Sequence, residues 1–242
     1  MKLNEKTALV TGANRGIGLA IVNALLRANV KKVYAAARDV RKLPDFQDDR
    51  VVPLQLNITD TTEIRNAAET ATDVDLLINN AGVAAFTSLL NGPQELLERD
   101  MRTNYFGTLD MVRNFAPVLE TKQGASIVNI VTIAAFVNFP MIGGYSASKA
   151  ALFSLSQGIR IELATKGIAV HTVNPGPIDT DLAKDFPAEK ASAVETAENI
   201  ILGLKNGEAD IFPDAGGRQM FDVWRNDYRD LEAMVNQMYN SA

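Results

Sequence analysis

The chain is predicted to fold as α/β: a single doubly wound parallel sheet of about seven strands, with helices on both faces. Three observations carry this. Seven short apolar runs recur along the 242 residues. Several are apolar at nearly every position, as strands covered on both faces are. Longer segments with 3.6-residue periodicity lie between them, and strand–helix alternation of this kind builds a doubly wound sheet.

In chain order, the first strand is Thr7–Val10. A glycine-rich turn follows, then a helix with Ile17, Ile21, Ala24 and Leu25 on one face. Strands are predicted next at Lys32–Ala37 and Val51–Leu56, and Asp60 and Glu63 have capping-box spacing at a helix start. Asp75–Ile78, Ser126–Val131, Ala169–Val173 and Asp210–Phe212 complete the sheet. From about 217 to 239, Met220, Trp224, Tyr228, Leu231, Val235 and Met238 recur at spacings of four or three, the stripe of an amphipathic helix. It packs on its own domain, or it serves as a subunit contact or a flap over a pocket. No repeat, low-complexity tract or linker interrupts the pattern, so residues 1–242 read as one domain.

Composition narrows the function. Apolar residues make up 47% and charged residues 22%, ordinary globular proportions. The absence of cysteine excludes a disulfide scaffold, a thiolate metal site and a cysteine nucleophile. One histidine, His171, argues against a histidine metal cluster or a Ser-His-Asp triad, so no metal is expected. With 24 basic against 29 acidic side chains the net charge is −5, and the basic footprint of a nucleic-acid binder is missing. No apolar run nears the roughly 18 residues of a membrane span. The opening residues lack a signal peptide's apolar segment. The expectation is a cytoplasmic protein acting on a small molecule.

The first strand runs into Thr11-Gly12-Ala13-Asn14-Arg15-Gly16-Ile17-Gly18, and a helix follows. Gly12 permits a tight turn, Gly16 lets backbone approach a pyrophosphate, and Gly18 allows close packing. The helix start offers free N–H groups and a positive dipole end to phosphates. Three nearby glycines alone are also what a plain turn contains; the strand before and helix after point to a dinucleotide.

Five motifs in order carry a resemblance to a family. They are TGANRGIG at 11–18; Asn79-Asn80-Ala81-Gly82 after the fourth strand; Asn104; Tyr145-Ser146-Ala147-Ser148-Lys149; and Asn174-Pro175-Gly176 followed by Ile178 and Thr180. The chain resembles the short-chain dehydrogenase/reductase family over residues 11 to 180. Its C-terminal quarter lacks the family's V-D-G-G ending. The resemblance implies a Rossmann-type domain that moves a hydride between a nicotinamide cofactor and a carbonyl or alcohol. A homo-oligomer, dimer or tetramer, is the expected assembly.

The resemblance assigns Gly12, Asn14, Arg15, Gly16, Ile17 and Gly18 to the phosphates. Asn80, Ala81 and Gly82 would line the adenosine ribose side, and Asn57 and Ile58 the adenine. The family usually has an aspartate where Asn57 stands; an amide keeps one acceptor and adds donors. Pro175 and Gly176 would face the nicotinamide, with the Ile178 N–H on its carboxamide and Thr180 near the phosphates. An NAD site usually ends the second strand with a carboxylate for the ribose 2′-OH. Here that position is Ala37, followed by Arg38, and a guanidinium pairs well with phosphate. Arg15 stands where NADP-using members often carry a basic residue. NADP(H) is therefore favoured over NAD(H), although Asp39 lies close by and offsets part of the field.

Tyr145 and Lys149 are four apart and share one helix face. A free tyrosine titrates near about 10 and needs roughly 4 kcal/mol of differential interaction to fall by three units. A nearby ammonium in a dry site is predicted to supply much of it. Tyr145 would then exchange a proton with the substrate oxygen, and Lys149 would also bond the nicotinamide ribose. The family's active-site serine, thirteen positions before the tyrosine, is replaced by Thr132. Either its hydroxyl serves in the serine's role beside an extra methyl, or it is an inert β-branched residue and the chain a weak or non-catalytic NADP-binding scaffold. Asn104 would hold a water linking Lys149 to solvent. His171 is read as structural.

The loop from Ala134 to Gly144 is apolar and aromatic, which suggests a pocket for a ketone or aldehyde with an apolar or aryl group. Val83–Phe86 and Leu182–Phe186 would add walls, the second as a lid. Phe136 and Phe139 line that pocket or are core or interface residues. The remaining alternative is an NAD-linked alcohol dehydrogenase.

Overall fold

The computed structural model describes residues 1–186 and 188–240. All seven predicted strands form: β1 Thr7–Thr11, β2 Lys32–Ala37, β3 Val51–Gln55, β4 Leu76–Asn79, β5 Ser126–Ile130, β6 Ala169–Val173 and β7 Asp210–Ile211. They make one parallel sheet in the order β3-β2-β1-β4-β5-β6-β7. The central strands β1, β4 and β5 are buried at every position, which is why their sequences do not alternate. The edge strand β3 is only partly covered and tolerates Pro53, whose missing N–H a central strand would not.

Eight α-helices form among the described residues: α1 Gly16–Arg27, α2 Thr61–Thr70, α3 Gln94–Met101, α4 Thr108–Glu120, α5 Gly143–Ala164, α6 Ala193–Asn206, α7 Ala215–Asn226 and α8 Tyr228–Asn240. Ile21, Leu25, Ile200 and Leu204, from α1 and α6, pack on one face with Val10 and Ile78 of the sheet. Ile64, Met111, Phe115 and Ile159, from α2, α4 and α5, pack on the other with Leu9, Leu77 and Ile127. Asp60 caps α2 as its spacing predicts, accepting from the Thr62 and Glu63 N–H groups. Glu63 does not close the box on Asp60; its carboxylate reaches back to the Asn57 N–H at 2.7 Å.

The continuous helix expected over 217–239 is two helices. Asp227 adopts extended backbone (φ −150°, ψ 115°) and ends α7. The break shifts the phase of the stripe. Leu231 and Val235 are buried with Ala134, Val137, Phe139 and Ile142, and Met220 and Trp224 pack around them, whereas Tyr228 and Met238 are left exposed. Of the two roles left open, the described contacts are with the chain's own loop. Among the described residues no helix is long and apolar enough to cross a membrane.

Candidate active site

In a parallel sheet, β1 is where neighbours diverge: β2 lies on one side and β4 on the other. A crevice opens beyond the carboxyl ends of strands at such a switch point. Here it is a cleft of about 960 Å³. Every cofactor-binding residue expected from the sequence lines it, together with Thr132, Tyr145 and Lys149. Asn104 is the exception and lies behind the wall, fully buried.

The glycine turn is shaped by sterics. Gly12 and Gly16 have φ of +67° and +55°, the left-handed region that side chains disfavour. A Cβ on Gly18 would collide with the Gly12 carbonyl oxygen and the Asn80 side chain. Asn80 holds the turn from the far side, its Nδ2 donating to the Thr11 and Gly12 carbonyls at 2.8 and 3.2 Å. No side chain caps α1. Its first-turn N–H groups thus face the cleft end of a helix dipole, an anion cradle that fits a pyrophosphate.

Charge gathers at one end. Arg38 is exposed on the cleft and has no ion-pair partner among the described residues. Asp39, expected to offset the field there, is instead held by Arg41, whose Nε and Nη2 donate to its two oxygens at 2.8 and 3.0 Å. Arg41 keeps the Asp39 carboxyl below its usual range. Lys42, which the sequence reading passed over, lines the same end as Arg38; the Arg38…Arg41-Lys42 basic run was its signal. Arg15 donates to Asp181 at 2.9 Å and so ties the glycine turn to the loop after β6.

Asn57 is less free than expected. Its Oδ1 accepts from both the N–H and the hydroxyl of Thr59, at 3.2 and 2.9 Å. Only its amide N–H groups remain for an adenine. In the loop after β6, the Asp179 N–H donates to the Ala191 carbonyl and the Ala191 N–H to the Pro177 carbonyl, and the Ile178 N–H has no acceptor among the described residues. The Gly176 N–H donates to Asp214 at 2.9 Å, and Asp214 also caps α7.

At the reacting centre, α5 projects Tyr145 and Lys149 toward the end of β5. The Lys149 ammonium lies 5.8 Å from the Tyr145 ring centre and donates to the Ile130 carbonyl at 2.7 Å. Burial pushes Lys149 down to about 8. The protein's own groups do not lower the Tyr145 phenol as predicted. Burial pushes the phenol well above its usual range; a hydrogen bond with Thr132 pulls down, and the Asp100 carboxylate adds to the rise. Desolvation of a phenolate outweighs the ammonium because Lys149 is itself desolvated and turned to a carbonyl.

Thr132 closes β5 and caps the turn after it. Its hydroxyl donates to the Pro175 carbonyl at 3.1 Å and accepts from the Ala134 N–H at 3.2 Å. Asn104 lies in a π-helical stretch, Arg102–Gly107, the wide-turn geometry that recurs at functional sites. Its side chain accepts from the Val83 N–H and donates to the Val83 carbonyl and the Ser148 hydroxyl, at 2.9, 2.8 and 2.8 Å. Both of its amide N–H groups are committed within the protein, and Oδ1 keeps one lone pair; the Asn104 backbone carbonyl accepts from the Thr108 hydroxyl.

Val83, Ala84, Phe86, Phe139, Ile142 and Phe186 form an apolar wall. Phe139 meets Phe186 edge-on at 5.5 Å, closing one side. Phe136 does not line the cleft. It packs with Phe153, Phe212, Phe221 and Trp224, because α7 brings its own rings across the loop.

Comparison with known proteins agrees with this geometry. A family model described as short chain dehydrogenase matches residues 6–191. A crystal structure of a short chain dehydrogenase from Burkholderia cenocepacia in complex with NADP superposes with a TM-score of 0.92, at 36% identity over 97% of this chain and 99% of that one. An uncharacterized oxidoreductase, SSP0419 of Staphylococcus saprophyticus, is 32% identical over 85% of this chain and 93% of its own length. The 3-oxoacyl-[acyl-carrier-protein] reductase FabG of Vibrio cholerae is 30% identical over 80% and 82%. A glycine cradle at the switch point, a Tyr–Lys pair facing it, and a family match over well over half its length lead to one conclusion: the chain belongs to the short chain dehydrogenase family, oxidoreductases that bind a nicotinamide dinucleotide.

Proposed function

We propose that the chain is an NADPH-dependent carbonyl reductase, reversible as an alcohol dehydrogenase, for ketones or aldehydes bearing an apolar or aryl group. The observation that carries this is the convergence of Tyr145, Lys149 and Thr132 on one cleft, between a phosphate cradle and an apolar wall. When bound, the reduced nicotinamide supplies a hydride to the carbonyl carbon. Tyr145 gives its proton to the carbonyl oxygen as the bonding pair moves onto that oxygen. Burial keeps the Tyr145 phenol protonated, so the proton is available to donate. Lys149, still largely protonated near neutrality, then balances the phenolate left behind. Thr132 turns its O–H from the Pro175 carbonyl to the substrate oxygen, supporting the charge that develops there.

NADP(H) is favoured because unpaired Arg38 and neighbouring Lys42 offer charge where a 2′-phosphate would lie, and Ala37 offers no carboxylate to repel it. The structure of the 36%-identical relative was determined with NADP. One observation favours a slower enzyme: the Thr132 hydroxyl is committed to the protein before substrate arrives.

The test is NADPH consumption with a panel of aryl and alkyl ketones. Wild type consumes NADPH, and Tyr145→Phe loses about 10²- to 10⁴-fold of that rate while keeping NADPH affinity. Tight NADPH binding without turnover of any ketone would leave only the scaffold reading.

A further inference from the structure

Asp100, at the end of α3, is 0% exposed. A buried carboxylate is costly unless donors compensate. Two offset part of that cost: the Ala85 N–H donates to Oδ2 at 2.9 Å and the Arg99 guanidinium to Oδ1 at 3.2 Å, though burial still holds the carboxyl above its usual range. Ala85 follows Val83 and Ala84, which line the cleft. Four residues beyond Asp100, Asn104 grips Val83 by both its N–H and its carbonyl. Side chains from one helical stretch thus satisfy the backbone of this wall, as a neighbouring strand would. The same helix abuts the first turn of α5, since a Cβ on Gly144 would meet the Leu97 side chain at 2.6 Å.

We propose that Asp100 is a positioning residue for the reaction: from behind, it fixes the Val83–Ala85 wall of the cleft and sets a negative charge near the Tyr145 phenol. This rests on the reading of Tyr145 as proton donor. The groups acting on that phenol come from three elements. Lys149 lies one turn along α5, Thr132 hydrogen-bonds it from beyond the end of β5, and the Asp100 charge acts on it from α3, the helix packed against the first turn of α5. Arg99 partly neutralises Asp100 from the same helix, and the wall segment faces Asp100 with backbone alone. Asp100 opposes Lys149: it makes the phenol harder to ionise, so the protonated Tyr145 that ketone reduction needs persists to higher pH.

The test compares wild type with Asp100→Asn and Asp100→Ala. Asparagine keeps an oxygen for the Ala85 N–H and removes the charge. In the NADP⁺ complex, alkaline titration is followed by tyrosinate absorbance, with Tyr145→Phe identifying the Tyr145 component. The Tyr145 midpoint falls by about one pH unit in Asp100→Asn. The high-pH limb of ketone reduction moves down with it, while KM for the ketone stays near wild type. In Asp100→Ala the Ala85 N–H is left buried without an acceptor, and KM rises about tenfold. An unmoved tyrosinate midpoint in Asp100→Asn would overturn the electrostatic role. An unchanged KM in Asp100→Ala would overturn the wall. If wild type reduces no ketone, the proposed activity fails, and the absorbance titration still decides whether Asp100 acts on Tyr145.

Discussion

Arg15 and Arg38 look equivalent in the sequence and are not equivalent in the structure. Arg38 has no ion-pair partner among the described residues, whereas Arg15 is bound to Asp181 before any phosphate arrives. Exposed pairs of this kind hold about 0.2–1 kcal/mol, so Arg15 must give up that much to serve a 2′-phosphate. Asp181→Ala is therefore expected to tighten NADPH about two- to fivefold and to leave NADH nearly unchanged. Arg38→Ala is expected to weaken NADPH at least about tenfold and NADH far less. Equilibrium titration with both cofactors checks the pair; equal changes for NADPH and NADH in either variant would contradict the phosphate assignment. The residues that could not be ranked from sequence are those whose partners lie far along the chain. Asp181 is 166 residues from Arg15, and nothing local announces the pairing. Likewise the spacing of Tyr145 and Lys149 was legible, but their desolvation was not, because it depends on everything packed around them.

Elements whose register is set by local patterning were read correctly. The strands β2 and β6 have the predicted bounds, because each is buried after its first residue and its run of strand-forming residues ends where a turn begins. The C-terminal helices were not. Trp224 and Leu231 are seven apart, so the stripe looks continuous, yet Asp227 interrupts the helix between them. Phe136 was ambiguous for the same reason: an aromatic in a loop does not reveal that α7 will cover it. What α7 does for the site is visible at its cap. Asp214 bonds the Gly217 N–H at the start of the helix and the Gly176 N–H in the loop after β6, at 2.8 and 2.9 Å. Removing the carboxylate costs a cap, about 1 kcal/mol, and frees the loop. Asp214→Ala is expected to lower Tm by about 2–4 °C and to raise KM for NADPH. Asp214→Asn, which retains one acceptor, recovers part of both. A drop in Tm with an unchanged KM would confine Asp214 to capping.

At the scale of the whole molecule, the sheet order places the carboxyl ends of β1, β4, β5 and β6 side by side, and the chemistry collects there from segments scattered between Gly12 and Phe186. The two helical layers pack the sheet faces, and the cleft brings together backbone donors, a buried cation and a phenol. The account stands on a hydride leaving the dinucleotide in that cleft for a carbonyl carbon while Tyr145 supplies the proton. The most direct test uses NADPH deuterated at the transferable C4 position, an aryl ketone, and mass analysis of the product. The account predicts an alcohol carrying deuterium on its carbinol carbon, formed by wild type and not by Tyr145→Phe. An unlabelled alcohol, or labelled alcohol formed equally by Tyr145→Phe, would contradict it.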